Sequence, residues 1–304
     1  MLKKSVFLLF FKLLKGVIMK KILLFTLLLS SLVSSAAPLV VKDGDNIGFL
    51  GDSLTQFANR EYGFILLVMG ALKAEGVKNL KYIPGGIGGD RSSSILARLD
   101  KFLARKPSIV ILQVGVNDVA WKKHGVELPQ YKENIRKIVA KCEKAGARMV
   151  LVTPTLYTED PAFADNIKLE KYAQFIRDFA KEKNILLVDW QKKMRKIIAS
   201  NAIQADKGNH LTIDRVHLNG YGNMYLACAI LETLGMDKSK VESFIPAWKK
   251  IPSMAPILNM WNSPKYRISM EDHTILYKEA QKNKMTVDAY CRHLIGEKIR
   301  ALKK

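Results

Sequence analysis

The chain has 304 residues, 48% hydrophobic and 25% charged, which is enough apolar material for one large domain or two modest ones. This balance excludes a disordered chain and a collagen-like fibre. The 49 Lys and Arg against 28 Asp and Glu give a formal charge of +21.

That excess is unevenly spread. Residues 1–36 hold six lysines and no acid, so the rest of the chain carries 43 basic and 28 acidic residues, a charge of +15. Residues 249–304 contribute 12 basic and 5 acidic residues of these. A charge placed in this way suits solubility and attraction to anionic glycans or membrane surfaces. The sequence has no nucleic-acid recognition motif, and no nucleic-acid partner is expected.

From Met19 the sequence reads Lys20-Lys21, an apolar run from Ile22 to Val33, then Ser34-Ser35-Ala36-Ala37-Pro38. This charged, apolar, small-residue order is that of a secretory signal peptide. The run is shorter than the roughly 20 apolar residues that span a bilayer. The expectation is a signal peptide over residues 1–36, with Met19 as the start and cleavage after Ala36. Export to the periplasm or the extracellular space follows, with no stable membrane anchor after cleavage; an uncleaved anchor is the alternative. Cys142, Cys228 and Cys291 are too few and too scattered for a disulfide framework or a metal site. No metal and no cofactor is expected.

After Pro38, short β-branched runs alternate with longer amphipathic stretches. Strands are predicted at Asn46–Leu50, Leu80–Ile83, Ser108–Val114, Arg148–Val152 and Ile185–Val188, several of them apolar almost throughout. Helices are predicted at Tyr62–Glu75, Ser93–Ala104, Leu128–Ala145, Asn166–Lys183, Gln191–Ala199 and Gly220–Leu234. Such alternation predicts an α/β fold, a parallel sheet with helices on both faces, whose functional groups gather at the carboxyl ends of the strands. Four of the ten prolines fall between Pro246 and Pro264, so residues 246–304 read as a Pro-rich linker and a helical C-terminal extension. The extension has a short alternating run at Tyr266–Met270, a helix over Glu271–Lys282 and a second helix from Thr286 to Leu302. This order faintly resembles a ribbon-helix-helix module, but an exported protein has little use for DNA binding. A helical hairpin packed on the main domain or on a partner is expected instead.

The first strand ends Gly51-Asp52-Ser53-Leu54. A serine at a tight strand-to-helix turn projects its hydroxyl into the cleft, beside backbone N–H groups that can face negative charge; the same serine could instead serve as a helix cap. The second strand leads into Gly85-Gly86-Ile87-Gly88-Gly89-Asp90, the third ends Gly115-Val116-Asn117-Asp118, and Asp214-Arg215-Val216-His217 comes late in the domain. Together these supply a hydroxyl, an imidazole, an orienting carboxylate and N–H donors, the parts of an acyl-transfer site.

In these four blocks, over about Asn46 to Leu234, the sequence resembles the GDSL, or SGNH, family of serine hydrolases. The resemblance implies a three-layer α/β/α, flavodoxin-like fold with a central five-stranded parallel sheet, here over residues 38–245. It implies Ser53 as nucleophile with Asp214 and His217 completing the triad. It also implies an oxyanion hole from the Ser53 and Gly89 N–H groups and the Asn117 side chain. Pro84 departs from the family, many members of which carry asparagine there.

The loops after the third and fourth strands mix aromatic and charged groups and lack a long apolar lid. Asp52, Trp121, His124 and Tyr157 are the candidate substrate contacts. His210, His273 and His293 read as packing or surface residues, with His210 a further candidate for touching substrate. The composition fits a sugar over an aromatic face better than a buried fatty chain. The expected function is an exported serine esterase acting through an acyl-enzyme, with a small acyl ester or acylated glycan as substrate and acetyl as the simplest group removed. Alternatives are a lipase, lysophospholipase or arylesterase activity, acyl transfer to a sugar hydroxyl, or a non-catalytic carbohydrate-binding protein on the same fold.

Overall fold

The computed structural model describes residues 39–200, 210–254, 257–258 and 266–302. The expected signal peptide lies outside them. Five strands, β1 (Asn46–Gly51), β2 (Lys81–Gly86), β3 (Ile109–Gln113), β4 (Arg148–Val152) and β5 (Leu186–Val188), form one parallel sheet in the order β2-β1-β3-β4-β5. Every residue of β3 is buried, the polar Gln113 at its end included, as the apolar run over residues 109–112 requires of a strand covered on both faces.

Each parallel connection needs a crossover, and helices supply them. β1 runs through α1 (Ser53–Phe57) and α2 (Phe64–Ala74) to β2, and α3 (Ser92–Leu103) then leads to β3. α4 (Val116–Ala120) and α5 (Leu128–Lys144) connect β3 to β4, and α6 (Ala164–Lys183) connects β4 to β5. α7 (Trp190–Ser200), α8 (Gly220–Thr233) and α9 (Lys238–Trp248) follow. α2 packs on α8, while α3 packs on α5 and α5 on α6, which gives the three-layer α/β/α arrangement. The chain moves outward from β1 to β2 and then back across to β3, so the topological switch point, where such sheets bind ligands, lies between the carboxyl ends of β1 and β3. Pro84 sits within β2, an edge strand, where its missing N–H leaves no central ladder bond unmade.

The structure differs from the sequence reading in three helices. α1 and α4 are single short turns directly after strands, too brief to show a 3.6-residue period. α9 has no counterpart in the sequence reading and extends into the proposed linker, with Pro246 in its last turn; Asp237 caps it by accepting from Ser239 N at 2.8 Å, and buried Val241 and Trp248 offset the proline's lost hydrogen bond. Beyond it, β6 (Ile257–Leu258) and β7 (Tyr266–Arg267) pair antiparallel within the chain, rather than leaving β7 for a partner ribbon. α10 (Met270–Lys282) and α11 (Val287–Leu302) then pack on each other. Among the described residues no helix is long and apolar enough to cross a membrane.

Candidate active site

The turn after β1 is compact because glycine lines it. A Cβ on Gly51 would overlap Thr55 Oγ1, and one on Gly86 would overlap Gln56 N, so α1 folds directly against the ends of β1 and β2. Asp52 caps α1 by accepting from Leu54 N at 2.9 Å. Ser53 is thereby the first residue of α1, at the switch point of the sheet.

The block after β2 lies alongside it. A Cβ on Gly88 would stand 3.9 Å from Ser53 Cβ, and Gly89 has φ +78°, where only glycine is free of strain. The block after β3 closes over this loop, because Asn117 Nδ2 donates to Asp90 O at 2.9 Å. An amide nitrogen carries two N–H donors, so the second remains available. Asp118 accepts from Ser92 N at 3.0 Å and from Ser92 Oγ at 2.5 Å, tying α4 to the start of α3. Burial outweighs those hydrogen bonds and raises the Asp118 carboxyl to about 6.

His217 arrives from far along the chain, on a hairpin closed by the Thr212–Leu218 bridge, with Arg215 at φ +78° in its turn. Its Nε2 lies 2.9 Å from Ser53 Oγ and its Nδ1 2.6 Å from Asp214 Oδ2. Asp214 Oδ1 also accepts from the His217 and Val216 N–H groups, at 2.8 and 3.1 Å. Partial burial would raise the Asp214 carboxyl, but the hydrogen bonds from His217 outweigh it and hold the group below the usual carboxylate range. An ionised carboxylate can only accept, so Nδ1 must donate, and a neutral ring then leaves Nε2 to take the Ser53 proton. The Phe57 ring packs on His217 at 4.8 Å, beneath the Arg60 guanidinium. A cavity of about 100 Å³ adjoins His217, lined by Leu54, Phe57, Arg60, Tyr62, Ile213 and Leu218 among others.

The remaining candidates divide. Trp121 is half exposed and borders the site, its ring 3.2 Å from where a Gly89 Cβ would stand. Arg91 stacks over Trp121 and donates to the His124 carbonyl, so His124 supports that loop through its backbone. Tyr157 stacks on Phe163 at 5.9 Å, and its N–H donates to Asn166. Among the described residues, neither His124 nor Tyr157 bonds or stacks with Ser53, Asp214 or His217. Asp52 is corrected: it is 0% exposed, closed off beneath α1, and cannot touch substrate. His210 is enclosed by the Tyr221 and Tyr277 rings rather than facing the site.

Two supporting residues escape the sequence reading. Arg98 donates to Asp90 Oδ2 at 2.6 Å, Gly85 O at 2.7 Å and Gly51 O at 3.1 Å, knitting the ends of β1 and β2 to the glycine loop. Its only signal is a cation on α3 beside the buried Ile95 and Leu99. Glu159 is 1% exposed and grips residues 210–212 from the loop after β4. An acid amid Thr-Leu-Tyr-Thr gives no more than a hint of that.

The model of the GDSL-like Lipase/Acylhydrolase family matches residues 49–224, more than half of the chain. An acetylxylan esterase from Geobacillus stearothermophilus is 25% identical over 218 residues, 65% of this chain and 97% of that protein. The solved structure of Axe2, an acetylxylan esterase of the same organism, is similar with a TM-score of 0.57 at 24% identity, covering 65% of this chain and 97% of its own. Solved variants of Axe2 described as catalytic mutants replace a serine, an aspartate and a histidine, the last two three positions apart. AlAXEase, an acetyl xylan esterase, is similar with a TM-score of 0.58 at 31% identity, over 62% of this chain and 98% of its own. The chain belongs to the GDSL-like lipase/acylhydrolase family and is an ester-hydrolysing enzyme on that family's α/β fold.

Proposed function

We propose that this chain is a serine esterase that removes small acyl groups, most simply acetyl, from carbohydrate outside the cytoplasm, through an acyl-enzyme. The observation that carries this reading is the continuous relay Ser53 Oγ, His217 Nε2, His217 Nδ1, Asp214 Oδ2, at 2.9 and 2.6 Å. His217 takes the Ser53 proton as the oxygen attacks the ester carbonyl, and Asp214 stabilises the imidazolium that forms. The oxyanion meets the Ser53 and Gly89 N–H groups and the free N–H of Asn117. Collapse expels the alcohol, protonated by His217. Water, deprotonated by the same ring, then attacks the acyl-serine; the bond from the acyl carbon to Ser53 Oγ breaks, His217 returns its proton to that oxygen, and the acid leaves.

Three features support a small acyl group on a sugar. The cavity beside His217 is about 100 Å³, well below the roughly 300–1,000 Å³ of pockets that enclose larger ligands. Trp121 offers a half-exposed indole at the rim, a surface on which a sugar ring can stack. The similar proteins named above are acetylxylan esterases, and polysaccharides are met outside the cell, where the leader-like residues 19–38 would send the chain.

The test is a panel of p-nitrophenyl esters from acetate to palmitate beside acetylated xylan, with Ser53→Ala as control. Acetate should be the fastest ester, acetylated xylan should release free acetate, and Ser53→Ala should lose on the order of 10⁴-fold or more in kcat. Preference for palmitate would overturn the sugar reading. Full activity in Ser53→Ala would overturn the serine mechanism.

A further inference from the structure

The pair Asp214 and His217 is not held by its own burial: the Asp214 side chain is 52% exposed and that of His217 25%. Its hairpin must therefore be fixed at the stem. There Glu159 accepts from His210 N at 3.2 Å, Leu211 N at 2.9 Å, Thr212 N at 2.8 Å and Thr212 Oγ1 at 2.7 Å. Asn219 Nδ2 donates to His210 O at 3.0 Å from the other side of the hairpin.

His210, the first residue of that stem, touches two tyrosine rings: it stacks on Tyr221 of α8 at 5.8 Å and meets the tilted ring of Tyr277 of α10 at 4.8 Å. Tyr277 and His273 stand one turn apart on one face of α10, and His273 is buried against Tyr221 at 5.9 Å. Tyr221 Oη donates to Met270 O at 2.9 Å and meets Thr274 Oγ1, pinning the start of α10 to α8. Burial raises the Tyr277 phenol, and the nearby Glu159 carboxylate raises it further. All of α10 lies beyond residue 224, where the family match ends.

We propose that α10 is a working part of the active site: through Tyr277 on His210, and together with Glu159, it holds the hairpin that keeps His217 in register with Ser53. Tyr277 and Glu159 are positioning residues. The inference rests on the serine-esterase reading and assigns the C-terminal extension a task within it. A reacting group displaced by about 1 Å can cost on the order of 10²-fold in rate, so a loosened stem should act on turnover rather than on substrate binding.

The test measures kcat and KM for p-nitrophenyl acetate, the rate of Ser53 labelling by a fluorophosphonate, and the melting temperature. It uses the full chain and its Tyr277→Ala, Tyr277→Leu and Tyr277→Phe variants. Tyr277→Ala, and Tyr277→Leu should the Ala variant not fold, should lower kcat and labelling by about tenfold or more with KM within about twofold, and Tyr277→Phe, which keeps the ring, should restore both to within about twofold of the unaltered chain. A folded Tyr277→Ala or Tyr277→Leu with unaltered kcat overturns the inference, as does a loss confined to KM. Failure of both the Ala and Leu variants to fold also overturns it, because Tyr277 would then maintain the fold as a whole. If the unaltered chain neither hydrolyses the ester nor labels, the esterase reading itself fails and takes this inference with it, so the two failures are distinct.

Discussion

Asp52 stands next to the serine in sequence yet serves it only from below. One oxygen caps Leu54 N and the other has no hydrogen-bond partner among the described residues. Burial outweighs that cap and, with the neighbouring Asp118 and Asp90 charges, raises its carboxyl to about 7. The folded chain therefore holds a proton that the unfolded chain releases near 3.8. The stability this group contributes is present below pH 4 and is lost as pH rises to about 7. Asn keeps the cap but cannot ionise, so Asp52→Asn should gain on the unaltered chain across that window, by on the order of 4 kcal/mol. Urea unfolding at pH 4 and pH 8 checks this, and an equal difference at both would contradict it. The Gly-Asp-Ser-Leu string picks out Ser53 readily, but the same string suggests a surface role for Asp52. Only burial, a property of the assembled layers, separates the two.

At the scale of elements, the site depends on α1 lying flat on the ends of β1 and β2, and glycine permits that approach. Gly86 is the sharpest case, since the obstacle to a Cβ there is the Gln56 backbone rather than a movable side chain. Gly86→Ala should cost about 1–3 kcal/mol, as overpacking does, and should lower esterase activity by pushing α1 and Ser53 off the sheet. Paired unfolding and activity measurements check both effects. The five strands and the longer helices were legible because apolar period is a local signal. The short helices α1 and α4 were not, since five residues hold little more than one turn. Nor was α9 as a whole, because Pro246 reads as a breaker until the burial of Val241 and Trp248 is known.

For the whole molecule, two histidines report how the C-terminal extension is seated. Burial pushes both His210 and His273 down to about 4, with His273 adding to the effect on His210. Between pH 6.5 and pH 4 the unfolded chain takes up protons that the folded chain refuses, so this part of the stability is present above about 6.5 and lost as pH falls toward 4. His273→Leu removes one of the two groups and should make unfolding less sensitive to pH in that window, by on the order of 3 kcal/mol across it. An unchanged dependence in equilibrium unfolding would contradict the seating of α10 described above. By itself the sequence determined the alternation of strands and helices and the four blocks that carry Ser53, Gly89, Asn117 and the Asp214–His217 pair, because periodicity and turn chemistry are written in neighbouring residues. The tertiary structure alone decided that Arg98 knits two blocks together, that Glu159 grips the histidine hairpin and that α10 lies behind it. The contacts of Arg98 with Gly51, of Glu159 with Leu211 and of Tyr277 with His210 join residues dozens of positions apart, and their energies depend on burial that exists only once the layers have closed.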